Sequence, residues 1–444
     1  MHTQFKTHAK TQFRWLSLIS MALVAVLLMS ASVPAASAAQ ATMAATMNST
    51  MAATMSGTSM SSGTMASTMA AVTTGACGLP GVATPAANDL STASTGDIKI
   101  GVAIALSGAA KAYGDSQRKG LLLALSEING AGGVDGKKLA LVIKDTTSDK
   151  SQAVTVFQGL INADKVAMIL GPTLSTEATA ADVEAQKASV PVMGMSNTGN
   201  GITSIGDYVF RDSLSEASAI PNTVKAMRDN LKVKSVAIMY AQNDKFSSDG
   251  YQIFKQELDK SGIAVLDTEV FDTADTDFSA QLTRIQGLSP QPDAIIVASL
   301  LGPAAKIIVK ARQLGINTQI VGGNGFNTPL IISLTKASSE GTIFGGAYDC
   351  NNPDAVNQTF VKAYLAKYGD APDQFAAQAY SALKIVADAL HRAGSADPKA
   401  LRDALAATKD LPTPLGAFSF DANRDAQQKT YVIKITGGKF TLIQ

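Results

Sequence analysis

The chain has 444 residues, 46% of them hydrophobic, and its 37 basic and 36 acidic side chains leave a net charge of +1. That balance, with basic residues scattered rather than clustered, excludes a nucleic-acid surface and a polyacidic tail. The only histidines are His2, His8 and His391; the first two fall in an opening segment that reads as a signal, which excludes a histidine metal cluster or two-histidine catalysis in the mature chain.

Lys6, Lys10 and Arg14 form a positive opening with no acid nearby, and an apolar run follows from Leu16 to Met29. Ser37-Ala38-Ala39 fits the small-x-small cleavage rule, so residues 1–39 read as a signal peptide cleaved near Ala39. The apolar run is short for a membrane span of ~20 residues. Removing 1–39 leaves 34 basic against 36 acidic residues, a balance of −2. His391 is then the one remaining histidine, in a stretch resembling the last turn of a helix, where a capping role is common. No later stretch is long and apolar enough to cross a bilayer, so the mature chain is expected outside the cytoplasm, periplasmic or extracellular.

Residues 40–95 are low-complexity Ala, Ser, Thr, Met and Gly, too poor in large apolar side chains to fold, and read as a disordered leader. Met43, Met47, Met51, Met55, Met60, Met65 and Met69 recur through it. Thioethers suit Cu(I), but the interleaved Ser, Thr and Gly disfavour a helix that would align them, and a repeat-expanded tether is the preferred reading. Cys77 and Cys350 are the two cysteines. Export permits a disulfide between them, and the sequence leaves that pairing open. Lipidation at Cys77 is excluded by its distance from the apolar core.

From residue 97 the pattern alternates strands with amphipathic helices. Strands are expected over 98–106, 139–145, 166–170, 190–195, 235–240, 264–271, 293–299 and 319–321. Helices are expected over 114–129, 151–163, 175–187, 248–261, 278–287 and 304–314. Three more helices (354–368, 374–392, 398–407) precede a hairpin at 431–435 and 439–443 about Gly437-Gly438. Short apolar strands between helices imply parallel sheets covered on both faces. About 350 residues exceed a single core. The expectation is α/β, two doubly wound parallel-sheet lobes: 97–216 plus 348–430, and 217–347 plus 431–444, joined by a hinge the chain crosses more than once.

Ligands of such sheets bind beyond the carboxyl ends of the strands. Three ends stand out: Leu106-Ser107-Gly108 leading to Tyr113, Gly171-Pro172 leading to Ser175, and Met195-Ser196 leading to Thr198. Gly171-Pro172 stops a strand, and Ser175 or Thr173 can cap the next helix, whose free N–H groups and dipole favour an anion. Ser196 and Thr198 add hydroxyls nearby. Both ligand contact and plain capping fit these hydroxyls. No phosphate loop, dinucleotide fingerprint or Gly-x-Ser-x-Gly elbow is present, and no cofactor or metal is implied. The lone tryptophan, Trp15, lies in the signal, so any aromatic wall is Tyr or Phe.

The stretch from Asp97 to Gly108, then Tyr113-Gly114-Asp115, Gly120 and Glu127 to Val134, resembles the start of the branched-chain amino-acid (Leu/Ile/Val) binding proteins of ATP-binding-cassette importers. These have the type I periplasmic binding fold. The likeness runs on through Gly171 to Ser175, Tyr208 to Arg211, Asp277 to Ser279 and Ala311 to Gly315. It implies that Ser175 holds a ligand carboxylate, with Ser196 and Thr198 beside it. It implies an aromatic at Tyr113 and a second one closing from the other lobe, near Phe246. Many relatives meet the ligand ammonium with an acid where this chain has Asn324, and some place another acid where it has Glu216. Glu216 reads equally as a helix N-terminal acid favoured by the dipole.

The resemblance implies capture of a small amino acid, branched-chain type favoured, or a related carboxylate, by lobe closure. The partner would be a membrane permease, and the protein a monomer without catalytic activity. A ligand sensor for a receptor, or a binder of an amide or amine-free acid, are the alternatives. An esterase or amidase would need an activated nucleophile, which one histidine does not support.

Overall fold

The computed structural model describes residues 98–443. The expected signal peptide, the leader and Cys77 lie outside the described residues. Cys350 is disulfide-bonded, and no helix among the described residues is long and apolar enough to cross a membrane.

The chain opens with β1 (Ile98–Ile104), α1 (Lys111–Gly130), β2 (Leu139–Asp145), α2 (Lys150–Gly159), β3 (Met168–Leu170), α3 (Ser175–Lys187), β4 (Val192–Gly194) and β5 (Val209–Arg211). These strands form one parallel sheet in the order β2-β1-β3-β4-β5. The last five residues of β1 are buried. Ile100, Val102 and Ile104 face one core, while Ala103 faces another under α2 and α3. Two covered faces explain why the strand reads as an apolar run without alternation.

The second sheet follows: α4 (Glu216–Asp229), β6 (Ser235–Ala241), α5 (Lys245–Lys260), β7 (Ala264–Phe271), α6 (Ser279–Gln286), β8 (Ala294–Ala298), α7 (Leu301–Gln313), β9 (Gln319–Gly322), α8 (Leu330–Thr335) and β10 (Ile343–Gly346). Val236, Ile238 and Ile296 pack toward one face, and Met239, Ile295 and Val297 toward the other.

The chain then returns with α9 (Ala355–Tyr368), α10 (Gln374–Ala393) and α11 (Pro398–Ala406), and α10 lies along α1. A small antiparallel sheet of β11 (Leu411–Thr413), β12 (Gly416–Phe420) and β13 (Ala426–Gln427) comes next. Finally β14 (Tyr431–Thr436) and β15 (Lys439–Leu442) join the second sheet, whose order is β15-β14-β10-β9-β8-β6-β7. The chain therefore passes between the two large sheets three times: after Arg211, after Gly346, and before Tyr431.

Close helix packing depends on two glycines of α1. A Cβ on Gly114 would stand 1.8 Å from the Ala105 carbonyl oxygen, and one on Gly120 would stand 2.2 Å from that of Ala376 in α10. Gly120→Ala is expected to force the two helices apart at a cost of about 1–3 kcal/mol. A lowered thermal midpoint checks this.

Two parts of the fold depart from the sequence reading. Helices α4 and α8 and strands β5 and β10 were not expected, and neither was the small sheet. Residues 160–163, expected to continue α2, instead fall in a separate wider turn over Leu160–Asp164.

Candidate functional site

A small cavity lies between the two large sheets. The first sheet's side supplies Tyr113, Thr173, Leu174, Ser175 and Ser196. The second supplies Phe246, Leu300, Asn324 and Gly325, and Phe375 reaches in from α10. Most of these groups stand just beyond the carboxyl end of a parallel strand or at the start of the following helix, where side chains and backbone N–H groups converge.

At α3 the capping expectation needs correction. Leu174 occupies the cap position and offers no side-chain hydrogen bond, while Ser175 is the first helical residue. Thr173 is engaged elsewhere: its hydroxyl accepts from the Ala105 N–H at 3.0 Å and donates to Gln117 Oε1 at 2.7 Å. Glu177 reaches back to the Leu174 N–H at 2.9 Å, and burial pushes its carboxyl up to about 7. The helix thus presents an N-terminus without a polar side chain over it, facing the cavity. Ser175 Oγ accepts from the Gly199 N–H at 3.1 Å, which leaves the Ser175 proton available to the cavity.

Ser196 lines the cavity, but its hydroxyl is committed. It donates to the Thr173 carbonyl at 2.6 Å and accepts from Gln117 Nε2 at 2.9 Å. Asn324 is committed too, since its Oδ1 accepts from Gln374 Nε2. Gln374 Oε1 in turn takes the Asn327 side chain at 2.9 Å and the Ala347 N–H at 2.7 Å. Asn324 is thereby part of a lattice beside the second crossing.

Thr198 and Glu216 lie behind the wall of the enclosed space. Thr198 is fully buried and Glu216 is 1% exposed. Thr198 Oγ1 and Glu216 Oε1 have no hydrogen bond of ordinary geometry. Positions for a Cβ on Gly323 and on Gly250 would stand 3.5 and 3.8 Å from Glu216 Oε2, so the carboxyl sits between the end of β9 and α5. Burial pushes it up to about 8, opposed by the Thr198 hydroxyl and the Arg211 charge and reinforced by Asp249. A buried carboxyl with one oxygen left unpaired is costly unless something pairs with it.

The cleft is shut by direct bonds. The Tyr113 hydroxyl accepts from the Leu301 N–H at 2.7 Å and donates to the Gly325 carbonyl at 3.0 Å. The Tyr113 ring packs on Phe375 at 4.2 Å. At the rim the Thr176 hydroxyl donates to Asp244, the cap of α5, at 2.9 Å, and accepts from the Lys245 N–H at 2.9 Å. The Asn200 N–H adds a bond to Asp249 at 2.8 Å.

Comparison with known proteins fits this geometry. A family described as "Periplasmic binding protein" matches residues 97–439. The chain belongs to the periplasmic binding protein family. Among its relatives is the leucine-, isoleucine-, valine-, threonine- and alanine-binding protein of Pseudomonas aeruginosa, 28% identical, with 76% of this chain and 89% of that protein covered. The branched-chain amino acid transporter substrate binding protein LivJ of Streptococcus pneumoniae, solved with isoleucine, is 32% identical. Its TM-score is 0.74, over 78% of this chain and 99% of that one. The leucine binding protein LivK of Thermotoga maritima is 27% identical with a TM-score of 0.74, over 78% and 98%.

In this periplasmic binding protein, sequence reasoning missed Phe375 and Leu300 as cavity groups and Gln374 as the partner of Asn324. Phe375 directly follows Gln374, the expected start of its helix, but that helix follows α9 rather than a strand, so the strand-end rule did not point there. His391 stands apart from the cavity, in the last turn of α10, with its Nδ1 2.7 Å from Asp135 on the surface.

Proposed function

We propose that this chain is the exported solute-binding component of an ATP-binding-cassette importer, and that it captures a branched-chain amino acid between two lobes. The lobes are 97–216 plus 348–430 and 217–347 plus 431–444. One observation carries the reading. A small apolar cavity, walled by Leu174, Leu300, Phe246 and Phe375, has an uncapped helix N-terminus with Ser175 on one side and the buried Glu216 carboxyl close by. The first suits a carboxylate, the apolar middle an aliphatic side chain, and the second an ammonium. The relatives named above, described as binding leucine, isoleucine and valine, support the same ligand.

No bond is made or broken in this scheme. Ligand contacts to both sides favour the closed form by the difference in affinity between closed and open. A membrane permease then takes the ligand from the closed monomer. Thermal shift tests the ligand class. Leucine, isoleucine or valine at a hundred times its dissociation constant stabilises the protein by about 2.7 kcal/mol. Ser175→Ala and Thr198→Ala are expected to abolish that shift at this leucine concentration, leaving only weak binding that calorimetry detects at higher concentration, with the unliganded midpoint nearly unchanged. Wild-type response in both variants would put the site elsewhere.

A second reading is favoured by the Asn324–Gln374 bond, which leaves no acid at the end of β9. A carboxylic acid without an amine would then be the ligand, and Glu216 would stay neutral beside it.

A further inference from the structure

Arg211 ends β5 where the chain leaves the first sheet, and it is 2% exposed. Its Nε donates to Asp425 Oδ1 at 2.5 Å and its Nη2 to Asp425 Oδ2 at 3.1 Å. The remaining Nη1 donates to two backbone carbonyls, Asn197 at 3.0 Å and Gly199 at 2.7 Å. Those carbonyls flank Thr198, and the Gly199 N–H is the group that reaches Ser175 Oγ. Asp425 immediately precedes β13. Three residues on, Gln428 donates to the Asp212 carbonyl at 2.6 Å, so the first and third crossings are bonded to each other. One guanidinium therefore joins the roots of two crossings to the turn behind Ser175.

We infer that Arg211 and Asp425 are positioning residues for ligand capture: they fix the 197–199 turn, so that Ser175 is held toward the ligand, and tie that turn to the hinge. This rests on the reading that Ser175 meets the ligand. A planar guanidinium with four acceptors in one fan has a set direction, which an ammonium cannot reproduce. Ser213 reinforces the same turn, its hydroxyl donating to the Asn197 carbonyl at 3.0 Å. The Glu216 N–H does so too, through the Thr198 carbonyl at 2.9 Å.

Leucine is the probe, with affinity read by calorimetry and the unliganded midpoint by melting. Asp425→Asn keeps the side-chain shape and breaks the two-oxygen grip. It is expected to weaken leucine binding at least tenfold. Arg211→Lys is expected to behave alike, because charge alone does not rescue direction. In a Ser175→Ala background Asp425→Asn should cause little further loss, since both act through one contact, whereas a general structural defect would add in full. Wild-type affinity in Asp425→Asn, or a fully additive double variant, overturns the inference while the site reading stands. Leucine binding in Ser175→Ala as tight as in wild type defeats the site reading itself.

Discussion

Leucine is expected to bind about tenfold more tightly at pH 7 than at pH 6, with the gain levelling off near pH 8, and Glu216→Gln should remove that slope. Burial holds the Glu216 carboxyl up to about 8, so at pH 6 it is neutral. An ammonium requires the ionised form, and binding must then expel one proton, which sets the slope. Arg211 favours ionisation, and Asp249 opposes it. Asp244 is itself held above the usual carboxylate range by burial, but it accepts from Ser247 and Thr176 on the cleft rim. The unliganded fold should follow the opposite trend. A carboxyl raised from 4.5 to about 8 binds more proton folded than unfolded between those values, so its contribution to stability falls as pH rises through that window. At pH 8 Glu216→Gln should cost an amino-acid ligand about 1.5–3 kcal/mol, the range for hydrogen bonds to charged groups. A ligand without an amine would show no gain up to pH 8. Calorimetry at three pH values, in two buffers of different ionisation heat, separates these outcomes. A flat profile with no proton released would remove the ammonium from the site.

What the sequence made legible was local. Gly171-Pro172 followed by Ser175 marked the end of β3 and the start of α3, and the buried strands were apolar runs because both faces are covered. Helix α4 escaped because Pro221 lies inside it, and proline inside an apolar pattern reads as a break. Strands β5, β11 and β13 are two or three residues long, too short to show a period. The other omissions are pairings between distant positions. Asn324 and Gln374 are 50 residues apart, and Arg211 and Asp425 are 214 apart. No spacing rule connects such residues. The resemblance supplied Tyr113 as an aromatic wall, yet nothing in the chain announced that its hydroxyl bridges to Leu301 and Gly325.

Removing that hydroxyl should act on closure itself. Tyr113 comes from α1, on the first sheet, and its two partners follow β8 and β9 of the second. It is 4% exposed. When the cleft opens, all three groups gain access to water. When it is shut they depend on one another, so Tyr113→Phe leaves an N–H and a carbonyl buried without partners only in the closed form. Each orphan costs about 1–3 kcal/mol. The pair therefore disfavours closure by about 2 kcal/mol at the least, which corresponds to roughly thirtyfold in affinity. The ring keeps its packing on Phe375, so the apolar wall is unchanged and the open protein should melt as wild type does. Small-angle scattering provides the second reading: at a leucine concentration that contracts the wild-type protein, the variant should remain extended. Equal affinity in the two proteins would mean that the Tyr113 bonds form equally well with the cleft open, and that closure draws its free energy from the ligand and the rim contacts at Thr176 and Asn200.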